Sequence, residues 1–303
     1  MTEAMTLSEK DILKQKKRER RSRRWAQIVN FVRLVFRSPS AKLGGVIVAV
    51  IVLSAIFAPI LAPYDPYEMD IQNLYSSPTL KHPFGTDSLG RDLLSRIIYG
   101  GRCSLSIGLF GTLIGSGAGI VLGSIAGYFG GQVENLIMRF CDIWSAIPSM
   151  LLMLLISSAL GTGLFNTVLA ISLGGIPLGA RMIRGQILAE RSKEYLEAAE
   201  CINCSKTGIM FRHMLPNVVA PSIILMAGQI GGALQAASSL SYLGLGIQPP
   251  TPEWGALMAD GTAYFQLYPH LLIFPGLVLG LAVLGFNLVG DGLRDAMDPR
   301  LRN

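Results

Sequence analysis

Few places in this sequence gather residue types that could do chemistry. The three histidines, His82, His213 and His270, are scattered, and no spacing among them assembles a metal site. Cys201 and Cys204 form a lone C-x-x-C with no second pair and no nearby histidine. Together with Cys103 and Cys141 at the margins of apolar runs, they read as reduced, incidental thiols rather than a disulfide framework. No H-E-x-x-H helix and no G-x-S-x-G elbow occurs. None of the eight lysines follows a glycine, which excludes the G-x-x-x-x-G-K-[ST] phosphate loop, so the chain is expected not to hydrolyse nucleotide by itself. Two charged clusters remain. One is "HPFGTDSLGRDLLSRIIYGGR", with Asp87, Arg91, Asp92 and Arg96; the other is "EYLEAAECINCSKTGIMFRHMLPN", from Glu194 to Asn217.

The elements that hold these clusters are apolar. Half of the residues are hydrophobic and 15% are charged, against about 25% charged in an average soluble domain. Five stretches, 43–63, 103–133, 143–180, 218–252 and 261–290, contain no Asp, Glu, Lys or Arg. A helix needs about 20 apolar residues to cross a bilayer. At about 1.5 Å per residue the third stretch is long enough for two crossings, with "GTGLFN" (161–166) as the turn between them. The spacing therefore predicts an all-α membrane protein with six transmembrane helices.

Orientation follows from basic residues. With the N-terminus inside, 12 Lys and Arg lie in 1–42, Arg139 is one more, six lie in 181–217 and three in 294–302. Lys81, Arg91, Arg96 and Arg102 fall on the other side. This distribution predicts that both the N and C termini are cytoplasmic. The net charge of +6 then reflects topology and attraction to anionic lipid, and "KQKKRERRSRR" reads as a membrane-surface tail in preference to a nucleic-acid patch or signal peptide. The expected organisation is a basic cytoplasmic tail (1–42), a first transmembrane helix (43–63), an extracellular loop with a surface helix (64–102), a five-helix core (103–291) and a short cytoplasmic tail (292–303).

In the 64–102 loop, Leu93, Leu94, Ile97 and Ile98 make one apolar stripe, so a short helix is expected on the outer membrane surface, capped by Asp87 or Ser88 and ended by Gly100–Gly101. Asp87, Arg91, Asp92 and Arg96 would form its solvated face, with contact to a docking partner through Asp87, Arg91 and Asp92 as the alternative. Glycines at 111, 115, 119, 123 and 127 line one face of the second span and predict close helix packing, within the chain or at a subunit seam. Pro148, Pro177 and Pro275 predict kinks. The spans lack the mid-membrane charges that ion-coupled carriers keep, so an energised carrier of this build must draw its energy from outside the chain.

The second cluster is the handle through which that energy could arrive. Tyr195, Ala198, Ala199 and Ile202 share one helical face, while Glu190, Glu194 and Glu197 suit a solvated or partner-facing side. Asn203 fits a left-handed helix end, Ser205 can cap a second helix, and Pro216 would close it. The expected result is a rigid helix, turn and helix on the cytoplasmic face, within a coupling loop spanning 185–217.

Residues 30–303 resemble a known family. "EAAECINCSKTGIMFRHMLP" is similar to the EAA loop, E-A-A-x3-G-x9-I-x-L-P, of permease subunits of ATP-binding-cassette importers. Glu197, Ala198, Ala199, Leu215 and Pro216 match; Asn203 stands in place of Gly and His213 in place of Ile. "RFCDIWSAIPSMLL", "SLSYLGLGIQPPTPEWGALMADG" and "FNLVGDGLRDAMDPRLR" extend the resemblance to the C-type subunit of the dipeptide, oligopeptide and nickel permease family. The resemblance implies a type I ABC importer permease-like fold and a second homologous permease subunit. It also implies two cytoplasmic ATP-binding-cassette ATPases, which use the ATP, and an extracellular solute-binding protein. It assigns ATPase coupling to Glu197, Ala198, Ala199, Asn203, Leu215 and Pro216, with no cofactor in this chain. An ATP-independent carrier or channel is the rival reading.

Overall fold

The computed structural model describes residues 30, 32–205 and 208–297, and every regular element among them is helical. The basic tail lies largely outside the described residues, as do Lys206, Thr207 and residues 298–303. The principal helices are α1 (Pro39–Ile56), α2 (Leu93–Phe129), α3 (Gly131–Ala146), α4 (Ser149–Leu160), α5 (Leu164–Arg191), α6 (Glu194–Cys201), α7 (Leu215–Tyr242), α8 (Trp254–Thr262) and α9 (His270–Met297).

Among the described residues, α1, α2, α5 and α9 are long and apolar enough to cross a membrane, and α3 with α4 makes a fifth candidate, bent by 86°. Helix α7 is 28 residues long and contains no Asp, Glu, Lys or Arg. The stretch 143–180, expected to hold two crossings, supplies most of α5 and only part of the bent candidate, the rest of which is α3. The first half of the stretch is α4, whose 12 residues rise only about 18 Å against the roughly 30 Å of a bilayer core. Pro148 precedes α4 in the extended region and cannot continue α3, which is why the bend falls there. The turn after α4 is as expected, with Gly161 and Gly163 at φ 83° and 133°. Pro177 and Pro275 lie inside α5 and α9, and Pro221 adds a further interior proline in α7.

The most extensive helix pair is α2 on α5, and it is the glycine face that makes it. A Cβ added to Gly115 would lie 2.6 Å from the Ser172 carbonyl oxygen, and one on Gly119 would lie 2.9 Å from Gly179 Cα. At these two positions the backbones approach closely because α2 places no side chain between them. Ser172 Oγ donates across the seam to Gly111 O at 3.2 Å. Of the two readings of this face, packing within the chain is the one observed.

The 64–102 region differs from expectation in three ways. The surface helix is the first turns of α2 itself, which runs through Gly100 and Gly101 without a break. Those glycines give room to neighbours: a Cβ on Gly101 would sit 3.2 Å from Ala55 Cβ and from Trp254 Cζ2. The cap is Asp92, whose carboxylate accepts from Ser95 N at 2.7 Å, and not Asp87 or Ser88. Finally, Asp87, Arg91 and Asp92 are buried, so they form no solvated face and no surface for a partner. Asp87 accepts from Arg91 Nε at 2.7 Å and lies 3.4 Å from Arg96 Nε, and Arg96 Nη1 donates to Pro66 O at 3.0 Å. Residues near Pro66 and Pro250 close over this cluster, with Trp254 Nε1 donating to Ile97 O at 2.9 Å. Charges are kept at such depth only when paired, and here they are paired.

Candidate functional site

At the opposite end of the molecule the chain leaves α5, forms α6, turns, and enters α7. Helix α6 is held by its inner face. Leu196 and Ala199 pack with Ile183 and Ile187 of α5 and with Ile209, Met214 and Val218 before and within α7. The buried row is therefore 196 and 199, and the predicted stripe through Tyr195, Ala198 and Ile202 is corrected. An i, i+3, i+4 pattern on so short a helix fits two adjacent rows, and neighbouring helices choose between them.

The turn forms as predicted at its centre. Asn203 has φ +58°, the left-handed region that asparagine tolerates better than other residues with a side chain. Ile202 N donates to Ala198 O at 3.2 Å just before it, and across it Cys204 N donates to Ala199 O at 3.1 Å, closing the helix end. Ser205 then caps the next element, accepting from Gly208 N at 3.1 Å on its hydroxyl. Residues Ile209–Met214 that follow are π-helical, and they run straight into α7. Pro216 consequently stands in the first turn of α7 and closes nothing, contrary to expectation. Leu215 keeps α-helical angles (φ −57°, ψ −41°) because the wide π turn carries the chain past the carbonyl that the proline ring would meet.

The outward side of this knob is mixed in character. Glu194, Glu197, Ala198, Asn203 and Arg212 are exposed. Ile202 and Phe211 stand beside them at 76% and 62% exposure. Of the residues singled out from the sequence, Glu197, Ala198 and Asn203 thus share the exposed surface with Pro216. Ala199 belongs to the packed face and Leu215 is half-buried.

Glu190 was expected on a solvated or partner-facing side and is instead buried. Its Oε1 accepts from the Tyr195 hydroxyl at 2.5 Å and from Asn217 Nδ2 at 3.3 Å, and its Oε2 lies 2.6 Å from Lys193 Nζ. The hydrogen bond to Glu190 holds the Lys193 ammonium above the usual lysine range. Burial, aided by the same carboxylate, raises the Tyr195 hydroxyl. The sequence pattern placed this carboxylate on the wrong side because its partners Tyr195 and Asn217 lie on the next two helices, beyond the i+3 and i+4 reach of α5 itself. Sequence reasoning passed over Glu253, fully buried at the α8 end, which caps α8 and accepts from Ser104 Oγ at 2.9 Å.

Between the two ends, a cavity opens among α2, α4, α5 and α7. Its polar side chains are Thr112, Ser116, Ser149 and Gln229, interleaved with Gly115, Gly174 and Gly232. None of its lining side chains carries a charge. Such a wall offers hydrogen bonds to amides and hydroxyls and no fixed ion partner.

Comparison with known proteins agrees with this arrangement. The family described as binding-protein-dependent transport system inner membrane component matches residues 119–303. The N-terminal TM domain of oligopeptide transport permease C matches residues 27–78. The glutathione transport system permease protein GsiD of Escherichia coli O6:K15:H31 is 42% identical over 273 residues, covering 90% of each chain. Its counterpart in Shigella boydii serotype 4 gives the same values, and that of Pectobacterium atrosepticum is 41% identical over 274 residues, 90% of this chain and 91% of its own. Members of this family are transporter subunits rather than enzymes, and they work in the inner membrane with ATPase and solute-binding partners. The matches at both ends of the chain and the identity across nine-tenths of it make this protein a multi-pass inner-membrane permease of the ATP-binding-cassette importers, in the dipeptide and oligopeptide family.

Proposed function

We propose that this chain, with a second homologous permease, forms the transmembrane pathway of a bacterial importer for short peptides, glutathione-like peptides included. It has six spans with both termini in the cytoplasm, and substrate crosses by alternating access. ATP is used by two separate cytoplasmic ATPases, and an extracellular binding protein delivers the cargo. The α6 knob is the surface on which an ATPase docks, through Glu197, Ala198 and the Asn203 turn. The observation that carries this reading is the knob itself: a helix and a left-handed turn, rigidly seated, whose outer side presents Ile202 and Phe211 to a partner. The 22-to-4 split of basic residues supports the orientation. The uncharged, amide- and hydroxyl-bearing cavity suits a polar organic cargo.

Replacing Glu197 tests the reading. Glu197→Lys reverses a charge on the outer side of the knob without touching its packed face, so the permease should insert and fold normally. ATP-driven uptake by the reconstituted complex should fall, and the ATPases should co-purify less well. Wild-type uptake together with wild-type co-purification would make Glu197 an ordinary solvated helix residue.

A further inference from the structure

The apolar packing beneath α6 explains why the helix stays in place but not how a push on it acquires direction, because apolar contact is non-directional. The directional ties run through Glu190. This residue belongs to the last turn of α5, where a carboxylate opposes the helix dipole, so it does not serve the stability of α5. Its Oε1 accepts from Tyr195 of α6 at 2.5 Å and from Asn217 of α7 at 3.3 Å. Asn217 Nδ2 also donates to the Tyr195 hydroxyl at 3.0 Å, which closes a triangle across three helices. Lys193 holds the other carboxylate oxygen at 2.6 Å.

We propose that Glu190 is a positioning residue whose carboxylate clips α6 to α5 and α7 together, so that movement of α6 is delivered to both membrane helices at once. The proposal rests on the reading of α6 as the ATPase handle. Hydrogen bonds to a charged acceptor are short and directional, so the triangle resists rotation of α6 about its own axis where packing alone would let it roll. Load on α5 is passed further. Arg184 Nε donates to Glu134 of α3 at 2.5 Å, and Arg181 lies 3.2 Å from Asp142 of the same helix. Helices α3, α5 and α7 are thereby linked to one input.

The complete transporter, reconstituted in proteoliposomes with its ATPases, partner permease and binding protein, supplies the test. The readout is labelled glutathione or a labelled dipeptide taken up per ATP hydrolysed. For Glu190→Ala the ratio should fall about tenfold while complex assembly and hydrolysis stay within about twofold, an effect within the range of coupling in one hydrogen-bond network. Tyr195→Phe removes one hydroxyl and keeps the ring, and should lower the ratio about threefold on the same grounds. Glu190→Gln keeps the Oε1 acceptor for Tyr195 and Asn217 and should retain at least about half of the wild-type ratio. Should Glu190→Ala fail to assemble, the Tyr195→Phe ratio decides. Wild-type ratios in Glu190→Ala and Tyr195→Phe overturn the proposal, as does a parallel loss of hydrolysis and uptake at constant ratio, which would make the clip a support of the fold alone. A wild-type complex that takes up neither probe in an ATP-dependent way instead brings down the transport reading, and the proposal with it.

Discussion

Substitution at Asn203 isolates the turn from everything around it, because the side chain is exposed and only the backbone angle is at stake. At φ +58°, a β-branched residue places its methyl groups against the backbone, and left-handed geometry costs an L-residue about 1–2 kcal/mol. Asparagine escapes part of this cost and glycine all of it. Asn203→Val should therefore weaken the closed turn by no more than about 1–2 kcal/mol, which is at most roughly a 5- to 30-fold loss in its population relative to the open form. The amide of Cys204 reports that equilibrium directly, since its hydrogen bond to Ala199 O spans residue 203 and exists only when the turn is closed. Hydrogen exchange at this amide should accelerate by the same factor in the Val variant. In Asn203→Gly the relief of strain opposes the greater freedom of the open chain, about 0.4–1 kcal/mol, so exchange should stay close to wild type. Uptake should fall in the Val variant and persist in the Gly variant. Equal exchange in the two would refute the left-handed turn; unequal exchange with equal uptake would refute its role in coupling.

Three further outcomes are expected. Reporters joined after Gln266 and after Met297 should report outside and inside respectively, and the reverse pattern at either site would sink the six-span topology. Gly115→Val pushes a side chain into the Ser172 backbone and should destabilise the α2–α5 seam by about 1–3 kcal/mol, whereas Gly117→Ala, with open space around it, should leave the thermal midpoint unchanged; similar midpoints would show that the seam is not close-packed. Asp87→Ala strands Arg91 and Arg96 without a carboxylate and should cost about 3–5 kcal/mol in thermal or denaturant unfolding, with Asp87→Asn milder; an unaltered midpoint would mean the cluster is solvated after all.

The sequence made the apolar elements legible because the absence of charge over long runs is a property of each segment alone. The same holds for the glycine face of α2 and for the left-handed residue at 203, where local chemistry decides the conformation. What escaped depended on distant partners. Asp87, Arg91 and Asp92 have the spacing of a solvated helix face, and only residues near 66 and 250 brought over them make that face interior. Pro216 obeys the usual rule for ending a helix until a π turn upstream removes the clash. The row on which α6 is buried, and the place of Glu190 beneath it, were set by α5 and α7 and not by the pattern of α6.

The bend between α3 and α4 also bears on how the chain is made. Helix α4 alone is too short to cross the bilayer, and α3 carries Glu134, Arg139 and Asp142, so neither half is an independent insertion unit. The partners of Glu134 and Asp142 are Arg184 and Arg181, which emerge 50 and 39 residues later. At about 5–20 residues per second the ribosome takes between about 2.5 and 10 s to supply the first of these pairs. Until α5 is made, neither of these two ion pairs can form. The tie between α3 and α5 is thus ordered by the chain's own timetable: α5 completes a contact whose first half was made before it.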